Sequence, residues 1–338
     1  MAPRSYLSLT KDELAHADAL HRESIVIDAS IVAFIDNVGE DLMLEDMARG
    51  ASPRGTPPSA CREPSAREVA DVHEEVERKK EKTLIARTGA DIEQAKREGK
   101  SALFLGPQDS LFLEAKTAFL DIAWDMGIRI IQLSYQRSDA ADGCWDRVDG
   151  GLTNFSVNLV EAMNRRGMLV DLSHVGDRST MEAIELSKQP CSFTHVIPRK
   201  STPRDLSPYA KWAGSEKFVK LALGRGRTDE ALKACVEKGG MVGVTPFFAK
   251  TGKATTLTDN LMDQVDYVAD LVGADHVGFG SDLDYRNSVT RGAYIWKHPD
   301  RVDVTYHTAM DKTWGTAGSS SCPTSRRDSS PEVTPTRR

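Results

Sequence analysis

The sequence predicts an α/β protein, an eight-stranded (β/α) barrel of the TIM type with parallel strands covered by helices. Three observations carry that expectation. Short apolar runs alternate with helix-length amphipathic segments from residue 102 to residue 280. The runs are apolar almost throughout, as strands buried on both faces are. Polar and titratable residues gather just after the runs, on the side where barrels carry their chemistry. A doubly wound open sheet is the alternative. The first run lacks the glycine-rich turn that such folds use for dinucleotides, which argues against it.

The elements follow in order. Residues 10–23 read as a helix, with Thr10 as cap and Asp12 and Glu13 in its first turn. Ile25–Asp28 is a short buried strand ending in an acid, and residues 41–49 suit a short helix. Residues 51–68 hold four prolines and almost no large apolar side chain, which predicts a loop or disordered insert. Residues 69–87 look helical and charged. Thr88 and Asp91 form a capping-box variant for a helix over 90–98, closed by Gly99. Strands are expected at 102–105, 128–133, 168–172, 191–194, 241–244 and 276–280. Helices are expected at 111–126, 154–166, 178–187, 228–238 and 259–272, with a basic excursion at 198–227. With the first strand this makes seven, so the expected barrel is incomplete around its second strand and its C-terminus. The domain reading is one barrel over 1–313, with a Pro/Ser-rich insert at 51–68 and a disordered tail at 314–338.

Composition narrows the function classes. The chain has 338 residues, 40% hydrophobic and 28% charged, with a net charge of −6. That balance suits a packed globular protein and argues against a nucleic-acid partner, whose proteins carry a basic excess. No apolar run reaches the ~18 residues of a membrane span. The first residues lead into Lys11, Asp12 and Glu13 rather than an apolar signal segment, so the cytoplasm is the expected compartment. Cys61, Cys144, Cys191, Cys235 and Cys322 are scattered and form no CxxC, which supports neither a disulfide framework nor a cysteine metal knuckle. Nucleophile-elbow, phosphate-loop and HExxH patterns are absent.

The strand ends carry the chemistry. They read Asp28, Gln108-Asp109, Ser134-Tyr135, Ser173-His174, Thr194-His195, Thr245 and Ser281-Asp282. A single strand-end histidine is usually structural. Two on successive strands, each preceded by a hydroxyl residue and joined at one mouth by Asp282, form the ligand and base set of a hydrolytic metal site. His16, His21, His73, His298 and His307 stand in polar contexts and read as surface residues, and His276 as structural.

At this point a resemblance enters. Gly151–Phe155, Met163–Val175, Phe193–His195, Thr228–Lys233 and Asp275–Asp282 resemble the membrane (renal) dipeptidase family of zinc-dependent metallopeptidases, over about residues 20–285. The resemblance implies a (β/α)8 barrel of the metal-dependent hydrolase kind, with Zn2+ as cofactor and a dipeptide as substrate. It also implies a homodimer, for which no interface can be read from the sequence. His174 and His195 match the two histidines of the second zinc, and Asp282 the acid that moves protons. Arg225 matches the arginine that grips the substrate carboxylate, with Arg204 as competitor. Three stretches depart from the family. Its first-zinc Asp-Gly-His-x-Asp motif reads Asp28-Ala-Ser30-Ile-Val32. Its bridging glutamate falls at Gln108, and Tyr135 replaces a substrate-site histidine. Asp28 then reads as a structural acid. The expected centre holds one zinc on His174, His195 and Gln108, with Arg225 and Tyr135 against the substrate. The expected function is hydrolysis of a dipeptide or related small amide by zinc-activated water. The alternative is a catalytically inactive relative that binds a small ligand.

Overall fold

The structure, a computed structural model, describes residues 10–32, 52–56, 66–135, 140–144, 148–201, 226–245, 257–280 and 282–284. The expected helix at 41–49, most of the 198–227 excursion, the 314–338 tail, Arg204, Arg225 and Ser281 lie outside them.

Among the described residues the chain opens with α1 (Lys11–Glu23), capped by Thr10 and Glu13 in a reciprocal box, and β1 (Ile27–Val32). Next come β2 (Ser52–Thr56), α2 (Ala66–Arg78), β3 (Thr83–Ile85), α3 (Gly89–Glu98) and β4 (Ser101–Leu103). A regular alternation follows: α4 (Phe119–Asp125), β5 (Ile130–Gln132), α5 (Asn154–Arg166), β6 (Leu169–Asp171), α6 (Asp177–Leu186) and β7 (Cys191–Pro198). The last elements are β8 (Gly226–Arg227), α7 (Asp229–Glu237), β9 (Met241–Val244), α8 (Leu257–Val272), β10 (Val277–Phe279) and β11 (Leu283–Asp284).

The strands pair in parallel in a curled sheet, in the order β11-β1-β10-β9-β7-β6-β5. β2 pairs with the other side of β1, and a bridge from Leu105 to Ile128 joins the β4 segment to β5. β2 also lies against β4 of the small β3-β4 sheet, so the β1 side and the β5 side of the curled sheet approach each other through β2 and β4, in the manner of a (β/α) barrel. The barrel class is as expected.

Three local expectations need correction. The helix expected over 111–126 is a single 3-10 turn at Leu111–Leu113, and α4 begins only at Phe119. Composition assigned residues 51–68 to a loop, but Ser52–Thr56 form β2 and supply the strand that seemed missing. The prolines mislead because a parallel partner uses backbone groups of alternate residues only, and Pro53 is in register with Asp28 of β1. The helix expected over 69–87 ends at Arg78, and β3 follows it, paired with β4. The charged run before Thr83 hid that strand.

Packing explains which strand residues are apolar. Ile131, Leu133, Val170 and Leu172 are buried with Leu159, Met163 and Ile184 of the covering helices. The residues between them, Gln132, Ser134, Asp171 and Ser173, are equally buried but polar. Period-2 geometry puts these on the opposite, interior face. No helix among the described residues is long and apolar enough to cross a membrane.

Helix ends that frame this interior are capped from a distance. Gly176 has no side chain to cap α6, and Asp149 does so instead, accepting from Ser179 N at 3.0 Å and Ser179 Oγ at 2.6 Å. At the other end Lys238 Nζ donates to the carbonyls of Ile184, Glu185 (2.7 Å) and Ser187 (2.9 Å). A cation on the last carbonyls satisfies orphan acceptors and complements the helix dipole. Replacing it in Lys238→Met should lower stability by about 1 kcal/mol, a fall in Tm of about 2 °C. Calorimetry checks this, and an unchanged Tm would remove Lys238 from the cap.

Candidate metal centre

The site is built on the C-terminal ends of β6, β7 and β10. His174 follows β6 by three residues and is fully buried, and His195 lies within β7 and is fully buried as well. Their Nε2 atoms are 3.0 Å apart, with ring centroids 5.0 Å apart and planes tilted by 52°. Asp282 Oδ1 lies 3.8 Å from His195 Nε2. Asp282 holds φ at +53°, in the left-handed region that non-glycine residues rarely adopt. A strained backbone beside two buried imidazoles is typical of functional positions.

Neighbouring residues on a strand point to opposite faces. Thr194 and His195 nevertheless meet, with Thr194 Oγ1 2.7 Å from His195 Nδ1. The register between β7 and β9 shifts between Phe193 and Val196, so the strand bulges at these two residues. A bulge re-aims a side chain in this way. The displaced Thr194 carbonyl then occupies space that β9 and β10 must leave free. A Cβ on Gly243 would stand 2.1 Å from Thr194 O, and one on Gly280 would stand 2.0 Å from it and 3.0 Å from His195 Cβ. Both glycines are required for clearance.

Beneath the imidazoles lies a buried polar cluster. Asp171 accepts from Ser173 Oγ (2.6 Å) and Ser173 N (3.1 Å) on Oδ1, and from Thr194 Oγ1 (2.6 Å) on Oδ2. Thr194 N and His195 N donate to Ser173 Oγ at 2.8 and 3.1 Å. Such fully partnered networks hold one geometry.

Tyr135 is brought to the same place. Its ring stacks on His174 with centroids 4.1 Å apart and planes 25° apart. Its backbone N–H donates to Asp109 Oδ2 at 3.2 Å, while Asp109 Oδ1 accepts from Leu111 N at 2.6 Å. Gln108 is half-buried at this mouth, and its carbonyl accepts from Gln132 Nε2, which also donates to Ser134 O at 3.0 Å. Asp28 is buried on β1, in register with Phe279 of β10.

The structure thus gathers His174, His195, Asp282 and Tyr135; Gln108 precedes Asp109, whose carboxylate accepts from Tyr135 N. Arg225 lies outside the described residues. Asp109 was among the strand-end residues read from the sequence; sequence reasoning missed three contributors, Asp171, Gln132 and Arg227. Arg227 is fully buried, donates to Val175 O just after His174, and has Asp177 Oδ1 at 3.9 Å. Burial pushes its guanidinium below the usual arginine range, against the pull of Cys144 and Asp177. Among the cysteines, burial pushes the Cys191 thiol up, and burial with neighbouring Cys191 pushes Cys235 up to about 12. Neither is a nucleophile near neutral pH.

Comparison with known proteins places the chain in a family. The family model described as membrane dipeptidase (Peptidase family M19) matches residues 57–207 and 222–300. Dipeptidase tcpJ of Claviceps purpurea (strain 20.1) is 26% identical over 222 residues, covering 64% of this chain and 48% of its own. An uncharacterized dipeptidase of Schizosaccharomyces pombe is 26% identical over 213 residues, covering 60% and 47%. The chain therefore spans about half the length of the curated relatives it matches. An amidohydrolase from Pseudomonas aeruginosa superimposes with a TM-score of 0.68 at 28% identity, covering 81% of each chain. A metallopeptidase from Rhodobacter sphaeroides, liganded with a phosphinate mimic of L-Ala-D-Ala, superimposes at 0.58 with 17% identity, covering 86% of this chain and 97% of its own.

The clearance argument has a built-in control. Gly280→Ala should cost about 1–3 kcal/mol, because its methyl group meets backbone. Gly278→Ala should cost far less, since its nearest neighbours stand at 3.9 Å. Equal losses in thermal melts would show that the bulge does not need Gly280.

Proposed function

The chain belongs to the membrane dipeptidase family (peptidase family M19), and we propose that it is a metal-dependent hydrolase of dipeptides or related small amides, using one zinc ion. The observation that carries this reading is the buried pair of Nε2 atoms 3.0 Å apart with Asp282 alongside.

The family implies a metal cofactor. Imidazole nitrogens are favoured zinc ligands, and a tetrahedral ion with Zn–N of about 2.0–2.1 Å holds two of them about 3.3 Å apart. The observed pair needs only a small opening. A second ion does not fit. Ser30 and Val32 stand on β1 where the first-zinc motif needs a histidine and an aspartate, and Gln108 offers a neutral amide in place of a bridging carboxylate. Among the described residues no group of three His, Cys, Asp or Glu has metal-holding spacing. His174 and His195 would hold the ion, with Gln108 as a further ligand.

Zinc bound there supplies Lewis acidity, which polarises the scissile carbonyl and acidifies water. The chain's own groups do the rest. The Asp282 carboxylate takes a proton from the attacking water and delivers it to the leaving amine, so that C–N cleavage yields a free amine and a free acid. Arg225 pairs with the substrate's terminal carboxylate. Tyr135, stacked on His174, walls the pocket where it closes over the imidazole.

A second reading is favoured by the Asp28-Ala-Ser30-Ile-Val32 segment: a relative that binds a small ligand without turnover. One experiment separates them. The full chain is purified without chelator, assayed for metal by elemental mass spectrometry, and offered a dipeptide panel. The hydrolase reading expects about one zinc per chain, lost in His195→Ala. It expects Asp282→Asn to lower kcat by about 10²–10⁴ while zinc stays bound. Arg225→Ala should act chiefly on KM. Folded chain that takes up no zinc and turns nothing over would move the assignment to the ligand-binding relative.

A further inference from the structure

We propose that Asp171 is a positioning residue: through the Thr194 hydroxyl it fixes His195 as the tautomer protonated on Nδ1, which leaves the Nε2 lone pair facing the metal position. Each hydrogen in the cluster can be assigned by comparing its acceptors. Ser173 Oγ accepts from Thr194 N at 2.8 Å and His195 N at 3.1 Å, and it donates its own hydrogen to Asp171 Oδ1 at 2.6 Å. Thr194 N is also 3.2 Å from Asp171 Oδ1, so Ser173 Oγ, at 3.0 Å, remains a third and more distant acceptor for the Thr194 hydrogen. Its two nearer acceptors are Asp171 Oδ2 at 2.6 Å and His195 Nδ1 at 2.7 Å. A carboxylate is the stronger acceptor, by about twofold over a neutral one. With its hydrogen on Asp171, Thr194 Oγ1 can only accept from Nδ1–H. The proton of a neutral His195 then sits on Nδ1, and the lone pair sits on Nε2, 3.0 Å from His174 Nε2.

The hydroxyl residue before the histidine is thus part of the site. The register places Asp171 of β6 beside Ser192 of β7, so its carboxylate lies within reach of Thr194, two residues further along the same face.

The inference rests on the hydrolase reading only for its zinc measurement, since the tautomer belongs to the metal-free chain. The first test reads the ring-nitrogen shifts of His195 by 15N NMR in the metal-free full chain, assigned by their loss in His195→Gln. A proton on Nδ1 is expected, and a proton on Nε2 would overturn the proposal. The second test uses Asp171→Asn. Ser173 N and Thr194 N both donate to the Oδ1 position, at 3.1 and 3.2 Å, so the amide oxygen must lie there and the NH2 group must face Thr194. The Thr194 hydrogen then turns to His195 Nδ1, and the proton moves to Nε2. The expected result is that tautomer switch with zinc affinity reduced about 10–100-fold. A folded Asp171→Asn chain with unchanged tautomer and affinity would refute it. Should that variant fail to fold, Thr194→Val decides. It removes the acceptor and should raise the Nε2–H fraction, while Thr194→Ser should keep the wild-type tautomer and affinity. An unchanged tautomer in Thr194→Val would equally refute the relay. A hydrolytically silent chain that still showed Nδ1–H and its switch would count against the hydrolase reading alone.

Discussion

Everything at the mouth of this barrel depends on one distortion, the bulge of β7 at Thr194 and His195. A regular strand would send one of these side chains inward and the other toward the helices. The bulge lets both act on the interior, His195 as a donor of its Nε2 lone pair and Thr194 as the group that holds the ring. Its displaced carbonyl is tolerated only because β9 and β10 present Gly243 and Gly280. Three strands are thus committed to one local geometry. Gly280 leads directly to the segment carrying Asp282, so the residue that gives clearance also sets where the acid stands.

The fold was legible where strands were apolar and helices well punctuated. Thr153 and Gly167 bracket α5 as their chemistry predicts, and Gly167 closes it with φ at +69°. The two strands that escaped were those whose composition belongs to other elements. β2 holds a proline, an arginine and a glycine in five residues, and β3 follows a run of lysines and glutamates. Both lie at the closing seam, where pairing is made largely by backbone atoms and side-chain pattern carries little information.

The site shows the same division. His174, His195 and Asp282 could be named in advance because barrel chemistry sits at strand ends, which a period reading locates. Asp171 could not. It lies inside the run Leu169–Leu172 and reads as a polar lapse in an apolar strand. Only the register of β6 against β7 brings it beneath Thr194. Arg227 was passed over for a related reason. Nothing in a two-residue strand announces that its guanidinium is fully buried against Val175.

The separation of the two halves of the centre across different strands has a physical consequence. The first-zinc motif of the family belongs to β1, whereas the imidazole pair and its Asp171 support belong to β6 and β7. Substituting Ser30 and Val32 removes donors from one wall without touching any hydrogen bond of the Asp171 cluster. A chain can therefore lose one metal position and keep the other intact. On the proposed hydrolase reading there would be no bridging carboxylate, and Asp282 would carry the proton. The more the chemistry rests on one ion, the more it rests on the direction of the His195 lone pair. That direction is set by a carboxylate and a hydroxyl that never meet the substrate.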